Sequence, residues 1–137
     1  MIIRNCSGGI VFYGDKVLLL MNDKRDIAFP KGVVRDNRKL TEVAVERVKI
    51  EAGVKARIIS PCGKTHYEFY SVTRRKPVHN NVSWFVMEAD SDKVTPNASE
   101  GFEEGAFYPI EEAMSMITYS QDRSLLMMAY QKYKESV

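Results

Sequence analysis

Residues 2–12 are extended in character, with Gly8-Gly9 inside them, and Tyr13-Gly14-Asp15-Lys16 reads as a turn. Residues 17–21 are a continuous apolar run of strand length, the pattern of a strand buried on both faces. A polar loop over 22–26 follows, and Ile27-Ala28-Phe29 leads into Pro30-Lys31-Gly32. Leu40, Val43, Ala44 and Val48 then recur at helical spacing, which predicts a helix over about 40–52 with one buried stripe. Gly53 stands where a left-handed cap would end it. Three strands are predicted next, over 54–59, 66–72 and 82–89, the last two around the basic loop Thr73-Arg74-Arg75-Lys76-Pro77. A polar loop spans 91–99, a short strand 106–110, and helical pieces over 111–117 and 121–134 close the chain. Strand, helix, strands and then helix predict an α/β fold, a mixed β-sheet sandwiched between α-helices.

Composition narrows the class. The 137 residues suffice for a single domain over 1–137 with a sizeable core, and no repeat or low-complexity linker divides them. Hydrophobic content of 45% and charged content of 28% are ordinary for a soluble globular protein. A net charge of +2 argues for neither nucleic acid nor membrane as a partner. No apolar run approaches the ~18 residues that span a bilayer. The first residues, MIIRNCSGGI, do not read as a secretory leader, so a cytoplasmic protein is expected. Cys6 and Cys62 have no CxxC spacing and read as reduced, partly buried thiols. Oligomeric state leaves no trace in the sequence.

Residues 32–54 carry the chemistry: GVVRDNRKLTEVAVERVKIEAGV. This segment resembles the Nudix box, G-x5-E-x7-R-E-U-x-E-E-x-G-U with U a bulky aliphatic residue, and fits it without a gap. Gly32, Val48, Glu51, Gly53 and Val54 match, whereas Arg38, Glu46, Arg47 and Ile50 depart. Phe29-Pro30-Lys31-Gly32 resembles the lead-in to the box in Nudix enzymes acting on diadenosine polyphosphates and diphosphoinositol phosphates. Phe107-Tyr108-Pro109-Ile110-Glu111-Glu112-Ala113, Ile117-Thr118-Tyr119 and Asp122-Arg123 resemble the closing helices of that group, so the likeness covers about 8–130. It implies the Nudix fold. It also implies descent from pyrophosphohydrolases that cleave a nucleoside diphosphate linked to another moiety, by water attack on phosphorus with Mg²⁺ or Mn²⁺.

The departures differ in kind. The family's Glu and Arg at 38 and 46 brace the loop on the helix, and here Arg38 and Glu46 form the same ion pair with reversed polarity. The family's metal-binding glutamates fall at 47, 50 and 51, and here those positions hold Arg47, Ile50 and Glu51. Residues four apart on a helix sit side by side, so Arg47 pairs with Glu51 and repels an incoming cation. At ~4 Å and an effective dielectric near 20, that repulsion is on the order of 4 kcal/mol per unit charge.

Three readings follow for a nucleoside or dinucleoside polyphosphate-type ligand. Hydrolysis is weak or lost, because two of three metal-binding glutamates are replaced. Alternatively, Glu51 with Glu103 or Glu104 and the Gly32 carbonyl holds one Mg²⁺ and the protein is an active hydrolase. Or Arg47, with Lys31 and Arg35, binds phosphate in a sensor module, and Arg38 adds charge to the same loop. Beside the third stands the plain i,i+4 salt bridge of Arg47 with Glu51 on a solvated helix face. A scaffold with no ligand is a further, weaker alternative. Val82, Trp84 and Val86 share a strand face and read as core. Tyr67 and Phe69 flank the nucleotide cleft by resemblance, and His66, Glu68 and His79 lack an evident third ligand.

Overall fold

The computed structural model describes residues 1–137. Gly14, with φ 61°, reverses the chain between β1 (Ile2–Tyr13) and β2 (Lys16–Asn22), where Phe12 faces Val17. Two short strands follow, β3 (Ile27–Ala28) and β4 (Lys31–Val33), and then α1 (Leu40–Ala52). The long strands β5 (Ala56–Ser71) and β6 (Lys76–Ala89) form a hairpin. A 3-10 turn (Ala98–Glu100) precedes β7 (Phe102–Pro109), α2 (Ile110–Met116) and α3 (Ser120–Ser136).

The sheet runs β3-β2-β1-β6-β5, with β4 added to β1 and β7 to β2. β1 and β6 are parallel, Ile2 opposite Val78 through Phe12 opposite Glu88, and the other pairings are antiparallel. It is a mixed sheet, and each face has its own core. Val11, Leu18, Leu20, Phe85 and Met87 pack with Ala44, Val48 and Ala52 of α1. Ile10, Phe12, Leu19, Trp84 and Val86 pack with Ala113 of α2 and Leu125, Leu126 and Ala129 of α3. This two-sided cover is why β2 needs an unbroken apolar run: alternate residues serve opposite cores. The expected α/β sandwich is the observed one.

α1 occupies the predicted span and ends at Gly53, whose φ of 68° is the left-handed cap and whose N–H bonds Lys49 O. Its N-cap, Lys39, has no side-chain cap. The buried Ser7 hydroxyl donates to Leu40 O at 2.6 Å and ties the first turn to β1 instead.

Several boundaries need correction. The strands expected at 54–59 and 66–72 are one strand, β5, continuous through Pro61. As the edge strand it tolerates proline, and register shifts between Ile58 and Ser60 and between Pro61 and Gly63 absorb the irregularity. β6 begins at Lys76, earlier than expected, so the basic loop narrows to a turn over 72–75 with Arg75 at φ 54°. β7 begins at Phe102, which puts Glu103 and Glu104 in a strand rather than a loop. No helix is long and apolar enough to cross a membrane.

Candidate functional site

β4 delivers Gly32 to one side of α1, and a loop over 34–39 closes the connection. Arg38 on that loop and Glu46 on α1 meet at 2.6 Å, the reversed brace expected from the sequence. Both are solvent-exposed, so their coupling is small. Either Arg38→Glu or Glu46→Arg should lower the melting temperature by about 1–3 °C, and the double reversal should restore it. A double-mutant cycle by thermal unfolding checks this, and absence of coupling would show that the contact braces nothing.

At the next residue of the helix, Arg47 crosses Gly32. A Cβ on residue 32 would lie 2.5 Å from Arg47 Cδ, so only glycine lets the side chain pass. Beyond it the guanidinium donates through Nε and Nη2 to Glu51 Oε2, at 2.9 and 2.8 Å, and through Nη2 to Glu100 Oε1 at 2.9 Å. The i,i+4 pair is present, but its face is not solvated: the Glu51 side chain is 3% exposed. Burial pushes the Glu51 carboxyl up from 4.5 to about 7, against the opposing pull of Arg47 and Lys31. Burial also disfavours the Arg47 cation, yet its two carboxylate partners outweigh that and hold it charged.

Glu100 arrives there because the preceding loop clamps the end of α1. Thr95 N–H bonds Ala52 O at 2.8 Å and Asn97 N–H bonds Glu51 O at 3.0 Å. The Asn97 side-chain amide donates to Ile50 O at 2.9 Å. Asn97 then caps the 3-10 turn that presents Glu100.

Glu51 and Glu100 open onto a cavity of about 870 Å³. Phe29, Tyr67, Phe69, Trp84, Phe102 and Tyr119 give it aromatic walls. Trp84 is core, as expected, and also wall: its Nε1 donates to Thr65 Oγ1 at 2.8 Å and Phe29 meets it edge-on at 5.8 Å. Lys31 Nζ stands 5.6 Å from the centre of the Tyr67 ring. Tyr119 OH donates to Asp26 Oδ2 at 3.0 Å. Burial raises the Asp122 carboxyl while Lys31 opposes the shift. In all, six carboxylates (Asp23, Asp26, Glu51, Glu68, Glu100, Asp122) and two lysines (Lys24, Lys31) line the space.

Of the residues singled out from the sequence, Lys31 and Glu51 line this cavity, and Arg47 and Gly32 pack together behind Glu51. Arg35 is exposed and lies outside the lining. Glu103 and Glu104 are both exposed on β7, and neither joins Glu51; Glu104 instead borders a much smaller cavity beside Leu19 and Met21. The carboxylate brought to Arg47 is Glu100. Nowhere do three His, Cys, Asp or Glu side chains group to hold a metal ion. Glu51 Oε2 already accepts two guanidinium hydrogen bonds, so this donor set does not fit a divalent ion with Arg47 in place.

A family model, the NUDIX domain, matches residues 4–129. The chain belongs to the Nudix family. Solved Nudix structures share its fold at low identity. An Ap4A hydrolase of C. elegans, solved as a binary complex, is 18% identical with a TM-score of 0.76, over 98% of this chain and 99% of that one. A NUDIX-family hydrolase of Clostridium perfringens is 15% identical with a TM-score of 0.75, over 96% and 97%. An ADP-ribose pyrophosphatase of Streptococcus suis is 14% identical with a TM-score of 0.72, over 96% and 92%. Within the Nudix box of this chain, the helix face beside Gly32 therefore holds an arginine clasped by two glutamates.

Proposed function

We propose that this Nudix protein binds a nucleoside or dinucleoside polyphosphate-type small molecule in the aromatic cavity and hydrolyses it weakly or not at all. The observation that carries this reading is the Arg47 guanidinium between Glu51 and Glu100. It supplies a fixed positive charge at the box and takes up carboxylate oxygens that a catalytic ion needs. Ring-bearing ligands suit the walls, because stacking on aromatic faces is tolerant of ring identity. For the phosphates, Lys31 is the better-placed cation, since Arg47 already makes three hydrogen bonds and Arg35 stands outside the cavity. A metal-dependent reaction would have to recruit Glu100 with Glu51, because Glu103 and Glu104 do not line the space.

Thermal-shift measurements across a panel of nucleoside and dinucleoside polyphosphates, with chelator present, test the binding. At least one member should stabilise the protein, less so at high salt. Lys31→Ala should weaken that binding by roughly 1.5–3 kcal/mol, the worth of a charge-assisted hydrogen bond. No stabilisation by any member, or binding indifferent to Lys31→Ala, sinks the ligand reading. Robust Mg²⁺- or Mn²⁺-dependent turnover by the unaltered protein sinks the claim of weak hydrolysis.

A further inference from the structure

We infer that the β5–β6 hairpin carries a transition-metal site, with an ion held between His66 and His79 and Glu68 positioned behind His79. These are the only two histidines in the chain. The hairpin register sets them diagonally, with His66 opposite Asn81 and His79 opposite Glu68, and their ring centres stand 5.7 Å apart. One nitrogen of each ring aims at the same atom. His66 Nδ1 lies 2.5 Å and His79 Nε2 2.8 Å from Asn81 Oδ1.

Two imidazole nitrogens converging on one point is the arrangement by which neutral histidines hold Zn²⁺, Ni²⁺ or Cu²⁺, with bonds of about 2.0–2.1 Å for zinc. An amide oxygen only accepts hydrogen bonds, so in the ion-free state both nitrogens present N–H to it. An ion takes that point as the His66 proton moves from Nδ1 to Nε2 and the His79 Nε2 proton leaves to water, its Nδ1–H staying on Glu68, while the Asn81 oxygen swings aside to become a third ligand. Behind it, His79 Nδ1 lies 3.0 Å from Glu68 Oε1. A carboxylate in that place orients a ligating imidazole and raises its basicity.

No three His, Cys, Asp or Glu side chains group as metal ligands anywhere in the chain. The protein thus supplies two imidazoles and one amide, water completes the shell, and hard Mg²⁺ is not favoured. The two cysteines, which would compete as soft ligands, are buried. His66 and Glu68 line the large cavity, so a bound ion adds positive charge to a wall rich in carboxylates. That last consequence, unlike the site itself, rests on the anionic-ligand reading above.

The test is calorimetric titration of untagged protein with Zn²⁺ and with Mg²⁺, paired with NMR of the two histidine ring signals. Zn²⁺ should bind one equivalent per chain and shift both signals, and Mg²⁺ should do neither. His66→Ala and His79→Ala should each weaken Zn²⁺ roughly tenfold or more, since one of two imidazoles is lost. Glu68→Gln should weaken it roughly 10–100-fold while leaving both ligands in place. His66 is exposed, so its variant carries the test even if the half-buried His79 does not tolerate replacement. No Zn²⁺ uptake by the parent, or uptake unchanged by His66→Ala, overturns the site. Nucleotide stabilisation in chelator without any Zn²⁺ uptake overturns it too and leaves the proposed function standing. Zn²⁺ uptake with no nucleotide binding does the reverse.

Discussion

Replacing Arg47 by methionine should cost the fold about 1.4 kcal/mol more at pH 8 than at pH 4, because a Glu51 left without its partner takes up a proton, and pH 8 lies about one unit above its folded pKa of about 7. Glu51 is the residue left behind: its side chain is 3% exposed and two of its accepted hydrogen bonds come from Arg47. The loss should depend on pH in a defined direction. Folded Glu51 takes up its proton more readily than it does unfolded, its pKa having risen from 4.5 to about 7 through burial. The stability this group contributes is therefore full below the unfolded value and is lost as pH rises through the folded one. Removing Arg47 removes a charge that lowers the folded pKa, so the loss at pH 8 deepens. At pH 4 the acid is largely neutral in both states, and the variant should approach the parent. Urea unfolding at the two pH values measures the difference. A Glu51→Gln change added to Arg47→Met should recover much of the pH 8 loss, because an amide carries no charge to strand. An equal deficit at both pH values would mean that Arg47 acts by packing over Gly32 and not by its charge.

What the sequence makes legible is mostly local. Arg38 and Glu46 are joined by the end of one loop and about two turns of helix, and Arg47 and Glu51 by helical spacing alone, so both contacts are readable from residue numbers. α1 and its Gly53 cap follow from periodicity and a single glycine. The burial of Glu51 is different in origin. The groups gathered around it come from elsewhere in the chain: the Lys31 backbone bonds its carboxyl, Glu100 shares Arg47 with it, and Asn97 N–H bonds its carbonyl.

The choice of Glu100 over Glu103 and Glu104 is likewise tertiary. β7 pairs with β2, Glu104 opposite Met21, and a register shift follows between Met21 and Asn22. A one-residue change in register flips a side chain to the other face of a sheet, and nothing local fixes where a bulge falls. Asp26 and Tyr119 meet across the cavity mouth for the same reason, one from a loop after β2 and the other from the turn before α3. The convergence of His66 and His79 needed β6 to begin at Lys76, six residues earlier than alternation suggested, so that His79 lies within the hairpin ladder.

Restoring the two missing carboxylates should convert the box from an arginine clasp into a metal site. In an Arg47→Glu, Ile50→Glu variant, positions 47, 50 and 51 present three carboxylates near Gly32, with Glu100 facing them across the space that Arg47 vacates. Hard oxygen donors at that density suit Mg²⁺ or Mn²⁺, and such an ion polarises phosphate and lowers the pKa of its water. Without an ion the carboxylates repel one another, so the variant should be less stable than the parent in chelator. Metal should then restore stability by about 2.7 kcal/mol at one hundred times its dissociation constant. Divalent affinity should rise at least about tenfold over the parent, a gain of roughly 1.4 kcal/mol, and phosphoanhydride hydrolysis should emerge from background. Calorimetry with Mn²⁺ and a phosphate-release assay on the nucleotides that bind the parent measure the two gains separately. If the folded variant binds no more metal than the parent, the obstacle to a metal site is not the residue pair 47 and 50. If it binds metal tightly and still turns over nothing, the cavity has lost the geometry that places water in line with phosphorus, and loss of the glutamates is not the main cause of weak hydrolysis.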